Sequence, residues 1–215
     1  MYQPAHHREE RLDVQHGLIR GSPLGTLVTF GADGLAADLI PFILDETAGP
    51  RGTLRAHVAR ANPLWRAHDP AVAALVIFQG PQAYVTPSCY ETKRETGKVV
   101  PTWNYMTVHA YGHMAVVEDR AWLLTQINAL TDGMEQGRAE PWSVADAPPD
   151  FIETMLEQII GLEIPIDRIE GKWKLSQNRS RADRDGVIAG LFASADSAHR
   201  SLATLMSAKF KTEDQ

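Results

Sequence analysis

Three short stretches of this 215-residue sequence carry more charge and hydrogen-bonding capacity than turns require. The first is Leu54-Arg55-Ala56-His57-Val58-Ala59-Arg60-Ala61-Asn62-Pro63. A strand ends there in two arginines and a histidine, and Asn62-Pro63 opens a helix. Arg55 and Arg60 offer charge to a phosphate, and the N–H groups of the helix start offer donors. The same residues also suit an exposed strand end with ordinary surface arginines. The second stretch is Lys98-Val99-Val100-Pro101-Thr102-Trp103-Asn104-Tyr105, continuing to His109, Tyr111 and His113. Trp103 can stack on a planar ring while Thr102 or Asn104 bonds its edge. A tryptophan that fills a barrel end is the alternative. The third is Gly171-Lys172-Trp173-Lys174-Leu175-Ser176-Gln177-Asn178-Arg179-Ser180, the densest group of cations and donors in the chain. It suits a phosphate, an anionic ring edge or an acidic substrate, or else a solvated connector.

Other chemistries find less support. On a helix, His109 and His113 would share a face. On a strand they stand about 13 Å apart, and Val108, Gly112, Val116 and Val117 favour a strand. No metal site is expected from that pair, and the single cysteine, Cys89, excludes a cysteine-based zinc site and an internal disulfide. Gly-x-Ser-x-Gly, Gly-x-Gly-x-x-Gly and Walker patterns are all absent, and no two carboxylates stand out as an acid/base pair.

The elements that must position these stretches follow from periodicity. A helix is predicted near His7 to Ile19, closed by Gly21-Ser22-Pro23. Thr26–Phe30 and Leu35–Leu44 read as a β-hairpin turning at Gly31-Ala32-Asp33-Gly34. Its second strand is apolar on both faces near Ile40, Phe42, Ile43 and Leu44, which predicts burial on both sides. Thr53–Val58 is a strand with Leu54, Ala56 and Val58 on one face and Arg55 and His57 on the other. A short helix over Pro63–His68 follows, with Asn62 as its cap. Val72–Phe78 and Gln82–Thr86 read as two strands, Pro87–Lys98 as a long loop, and Val99–Val117 as one or two strands. Helical spacing links Leu123, Ile127, Leu130 and Met134, and again Ile152, Met155, Leu156 and Ile159. Leu162, Ile164 and Ile166 alternate as a last strand. A helix capped by Ser180 carries Asp183 in its first turn, and the end from Lys209 is expected to fray. Short antiparallel strands followed by helices indicate an α+β protein built on a barrel.

Composition sets the class. Hydrophobic residues make up 44% and charged residues 22%, the balance of a globular protein with a sizeable core. No apolar run is long enough to span a bilayer, and the first ten residues lack the apolar core of a secretory signal, so a cytoplasmic protein is expected. The net charge of −6 gives no support to nucleic-acid binding.

Five strings in order carry a resemblance: Met1-Tyr2-x-Pro4; His57 to Pro63; Phe78-Gln79-Gly80-Pro81-x-Ala83-Tyr84-Val85; Thr96 to Tyr105; and Lys172-x-Lys174-Leu175-Ser176-Gln177-Asn178-Arg179. Together they resemble the PaiB-type family of FMN-binding negative transcriptional regulators, from residue 1 to about 192. The resemblance implies an α+β split β-barrel with flanking and C-terminal helices, over residues 1–194, with 195–215 as a tail. It implies FMN as cofactor, held at the interface of a homodimer. Carried over, Arg55, His57, Val58, Arg60 and Asn62 become FMN contacts, with Arg55 and Arg60 toward the phosphate. Thr102, Trp103 and Asn104 are assigned to the ring or the facing subunit. Lys172, Lys174, Gln177, Asn178 and Arg179 close the site. Three roles stay open. One is a flavin-linked regulator, with DNA as a partner only through the family label. Another is an FMN-dependent oxidoreductase, in which the cofactor carries the chemistry. The third is a haem protein using His6, His7, His57, His68, His109 or His113.

Overall fold

The computed structural model describes residues 1–213. A 3₁₀ turn at Ala5–His7 leads into β1 (Arg8–Glu9) and α1 (Leu12–Gly21). Then come β2 (Leu24–Gly31), β3 (Gly34–Pro41), β4 (Ile43–Asp45), β5 (Thr53–Ala59), α2 (Leu64–Ala67) and β6 (Ala74–Val85). The middle of the chain holds α3 (Glu91–Glu95), β7 (Thr102–Gly112), β8 (Ala115–Val117), α4 (Arg120–Glu135) and α5 (Pro149–Glu157). β9 (Ile159–Pro165), β10 (Arg168–Lys174), α6 (Arg181–Phe192) and α7 (Ser197–Glu213) follow.

The chain divides into two compact units, and β6 and β7 run through both. One unit takes Leu12–Phe78 and His109–Ile169. It contains the strand order β6-β2-β3 and a second, antiparallel sheet, β4-β5-β9-β8. Gly31 pairs with Gly34 across the two-residue turn Ala32-Asp33, and Gly34 has φ +98°, a conformation glycine adopts without strain. Burial on β5 alternates as its sequence demands: Leu54, Ala56 and Val58 are buried and Arg55 and His57 are half-buried. Phe42 and Phe78 meet edge to face at 5.8 Å in this core, beside Leu27, Val76, Ile160, Leu162 and Ile164. Asp119 caps α4 by accepting the Trp122 N–H at 2.7 Å.

The other unit takes Met1–Arg11, Gln79–Val108 and the described part of Glu170–Gln215, with strand order β1-β10-β7-β6. β1 lies antiparallel to β10, Arg8 opposite Lys172. Ser180 caps α6, its hydroxyl accepting the Asp183 N–H at 3.2 Å. Tyr90, Leu175, Val187, Leu202 and Met206 are buried in this unit.

Several sequence expectations need correction. The first helix begins at Leu12, because residues 5–9 form a 3₁₀ turn and a strand paired to β10. The strand after the hairpin is broken at Phe42, whose N–H turns to the Pro23 carbonyl at 2.9 Å. Ile40 and Phe42 are buried, but Ile43 and Leu44 are only half-buried. Residues 74–85 form one strand through Gly80-Pro81, since the fixed φ of proline suits extended backbone. The segment read as a loop, 87–98, holds a 3₁₀ turn and α3. The carboxylate of Asp183 accepts both the N–H (2.9 Å) and the hydroxyl (2.8 Å) of Thr92 and so anchors α3 to α6. Ile159 opens β9 rather than ending α5, and β9 is not the last strand. The cationic third stretch begins on β10, where Gly171 and Trp173 point inward and Lys172 and Lys174 outward. From Lys209 the chain is helical to Glu213, with Phe210 buried; the rest of that expectation, Asp214 and Gln215, lies outside the described residues.

Candidate functional site

The sequence-selected residues fall into two groups, one in each unit. In the β5 group, Arg55 is held between two carboxylates, Asp45 at 2.8 Å and Glu163 at 2.9 Å. Arg60 pairs with Glu118 at 3.0 Å and donates through Nε to the Glu157 carbonyl. Both arginines offered as phosphate ligands are therefore neutralised by acidic partners. His57 Nδ1 stands 2.7 Å from Gln126 Oε1. Val58 is buried, and Asn62 Oδ1 accepts the Leu64 N–H at 2.9 Å, serving the first turn of α2. The Thr47 hydroxyl and N–H hold the Asp45 carboxyl below its usual range, so it stays ionised beside Arg55.

The second group is differently charged. Lys172 and Lys174 are two apart on β10 and share its outward face. Lys174 Nζ donates to the Thr102 hydroxyl and the Trp103 carbonyl at the start of β7. Lys172 Nζ lies 5.6 Å from the Tyr2 ring and 5.5 Å from the Tyr105 ring. The Arg179 guanidinium covers Tyr90 at 4.8 Å. Among the described residues, none of Lys172, Lys174 and Arg179 forms a carboxylate ion pair. Burial, then Lys172 and Arg179, lower the pKa of Lys174. His7 Nδ1 stands 3.0 Å from Gln177 Oε1. Its pKa is lowered by burial and by His6, and further by Lys174 and Lys172, against a raising bond from Gln177. A cluster in which burial and neighbouring cations disfavour the charged forms of Lys174 and His7 gains from a bound anion. Beside it, Trp103 (53% exposed) and Tyr84 (49%) meet edge to face at 6.0 Å, an aromatic pair open to solvent. A phosphate and a planar ring both fit this chemistry.

Asn104 does not face such a ligand. It is 0% exposed and exchanges hydrogen bonds with the Ser176 hydroxyl, Nδ2 donating at 3.0 Å and Oδ1 accepting at 3.1 Å. Its role is to hold Ser176, which has φ +65° in the turn that carries Arg179. Gln177 turns inward, accepting the Leu175 N–H at 2.7 Å, and Asn178 is exposed. Sequence reasoning missed Asp45, Glu163 and Gln126, which come from β4, β9 and α4 and carry no local signal toward β5. It also missed Tyr2, Tyr105 and His7 around the lysines. The alternating Lys172-Trp173-Lys174 was the available sign that these cations sit on a strand.

Residues 1–168 match the family model described as "Putative FMN-binding domain". An uncharacterized protein of Emericella nidulans is 37% identical over all of both chains. The protease synthase and sporulation protein PAI 2 of Bacillus subtilis is 29% identical, over 99% of this chain and all of its own. Among solved structures, the FAD- and haem-binding protein of Mycobacterium smegmatis superposes with a TM-score of 0.57 at 17% identity, covering 86% of this chain and 80% of that one. This likeness shows the fold, the α+β split barrel expected from the sequence.

Proposed function

The chain belongs to the FMN-binding domain family, and from that premise we propose that it binds FMN, with the phosphate taken by the Lys172–Lys174–Thr102 cluster and the ring by Trp103. The carrying observation for the cofactor is the family match over residues 1–168; the placement is supported by the structure alone, through a cation cluster without acidic partners whose Lys172 and Lys174 lie just beyond the match. Bound FMN supplies one- and two-electron chemistry; the chain's residues hold and orient it. Lys174 is fixed by Thr102 and the Trp103 carbonyl, leaving a donor for an anion, and Arg179 adds charge from the following turn.

The cofactor sits at the interface of a homodimer in this reading. Support comes from Leu24, Phe30, Leu35 and Leu39, all exposed. The register places them on one face of β2 and β3, Phe30 opposite Leu35 and Thr26 opposite Leu39. So broad an apolar face suits a partner. The role is a flavin-linked regulator, supported by likeness to the Bacillus protein named for protease synthesis and sporulation. An FMN-dependent oxidoreductase is the second reading, favoured by the acidic balance of −6, which weakens direct DNA contact.

The test is an FMN titration of the purified protein followed by desalting and a visible spectrum. One FMN retained per chain is expected. Lys174→Met loses a charge-assisted bond of about 1.5–3 kcal/mol, a weakening of roughly 10- to 150-fold. No flavin retained at any concentration overturns the cofactor reading, and an unchanged affinity in Lys174→Met overturns the site. With FMN bound, a promoter fragment retarded according to flavin state supports the regulator, and steady NAD(P)H consumption supports the oxidoreductase.

A further inference from the structure

In the unit that contains β5, one face of α4 (Trp122, Thr125, Gln126, Ala129) looks onto β4, Glu46, Thr47 and Arg55 across a cavity of about 600 Å³. That volume lies within the range of small-molecule sites. Its polar lining is almost entirely committed. Asp45 Oδ1 accepts from the Thr47 N–H and hydroxyl, and Oδ2 takes Arg55. Glu46 takes Arg20, the Thr125 hydroxyl donates to the Ala121 carbonyl, and Trp122 Nε1 donates to Glu163 at 3.3 Å.

One group is left over. Gln126 is 3% exposed and its Nε2 has no partner among the described residues. The reason is His57. Gln126 Oε1 only accepts, so His57 Nδ1 carries the proton that bonds it, and the free end of the amide is the NH₂. Arg55 adds to the donor surplus, since its described partners use only Nη1 and Nε. The ligand must therefore bring an acceptor. Its charge is constrained too, because Asp45 and Glu163 together outweigh Arg55 by one negative charge, which disfavours an anion. The unpartnered donors disfavour a cation. Ile43, Leu44, Trp122 and Ala129 supply apolar walls.

We propose that this cavity is a second ligand site, apart from the Lys172–Lys174 cluster, for a neutral aromatic or heteroaromatic molecule bearing a carbonyl group. The carbonyl oxygen accepts from Gln126 Nε2 and the ring lies against the apolar wall. The reading does not depend on FMN binding elsewhere.

Three monosubstituted benzenes test it by ligand-observed saturation-transfer NMR on the full chain, with and without saturating FMN. Benzamide, benzoate and benzylamine match in size and differ in charge. Benzamide is expected to bind and the two ions not to. Gln126→Leu is expected to weaken benzamide about 3- to 10-fold, the loss of one neutral hydrogen bond. Ala129→Trp fills the cavity from an exposed helix position, and Ile43→Trp fills it from the opposite wall. Loss of binding in both, with native circular dichroism in at least one, supports the site. Absence of benzamide binding overturns the proposal, as does preference for either ion or binding unchanged by both tryptophans. Displacement of benzamide by FMN also overturns it, because the cavity would then belong to the cofactor.

Discussion

Asn104 and Ser176 form a buried pair: the two hydrogen bonds between them, at 3.0 and 3.1 Å, use one hydroxyl as donor and acceptor, and Asn104 Nδ2 also donates to Met206 Sδ at 3.6 Å. Truncating Asn104→Ala removes both bonds and leaves the hydroxyl with no described partner. An orphaned buried polar group costs about 1–3 kcal/mol, and the lost amide volume brings the expected total to about 2–4 kcal/mol. At roughly 2–4 °C per kcal/mol for a chain of this size, the thermal midpoint falls by about 4–16 °C. Ser176→Ala instead strips the Asn104 amide oxygen of its donor, leaves Nδ2 the Met206 sulfur, and costs about 1–3 kcal/mol. Ser176→Gly should be milder by about 1 kcal/mol, because glycine relaxes the φ of +65° that serine holds there. In the double variant Asn104→Ala/Ser176→Ala neither orphan survives. The two single costs then fail to add, by about 1–2 kcal/mol. Urea denaturation of the flavin-free protein measures all four terms. A coupling below about 0.5 kcal/mol refutes the pair. Unchanged stability with lost FMN affinity in Asn104→Ala would instead return Asn104 to the cofactor site.

Two further outcomes test other parts of the structure. His7 has its folded-state pKa below 6.5, so the unfolded chain binds the more protons between the two values. Its contribution is fully present above pH 6.5 and is lost as pH falls through the folded-state pKa; His7→Gln should flatten that part of a urea-midpoint profile taken from pH 8 downward, and an unchanged slope would be contrary. At Gly112 a Cβ would stand 2.0 Å from the Pro165 carbonyl oxygen, a backbone atom that cannot swing aside. Gly112→Ala should lose about 1–3 kcal/mol or more, whereas Gly133→Ala, in open space on α4, should gain about 0.4–1 kcal/mol, both read by thermal melts.

Most of the fold could be read from local pattern. β5 declared its two faces, Asp119 and Ser180 marked helix starts, and the Gly31–Gly34 turn set the hairpin register. Two of the errors share a cause, a distant partner that overrides local preference. Residues 8–9 are a strand because β10 is there to pair with them, and α3 forms with Asp183 holding Thr92. The candidate site was legible as residue types but not as partnerships. Arg55 and Arg60 look alike to Lys172 and Lys174 in one dimension. Only the fold sets Asp45, Glu163 and Glu118 against the arginines and leaves the lysines without acids. Asn104 looked like a ligand because an amide beside a tryptophan suits a ring edge, and nothing local showed that Ser176 occupies it.

The division of the chain has a bearing on how it is made. The unit with the lysine cluster is assembled from three stretches, Met1–Arg11, Gln79–Val108 and Glu170 onward. Gln3 bonds the Gly171 carbonyl and His7 bonds Gln177, contacts that span 168 and 170 residues. On a ribosome the first stretch emerges long before its partners exist. The other unit lacks nothing after Ile169, so its parts are all present first. Loops this long slow closure, and surfaces awaiting late partners are the ones open to misassembly. β6 and β7, which traverse both units, leave the ribosome with one end able to pair and the other waiting for β10, α6 and α7. The Lys172–Lys174 cluster is therefore among the last features of the molecule to exist.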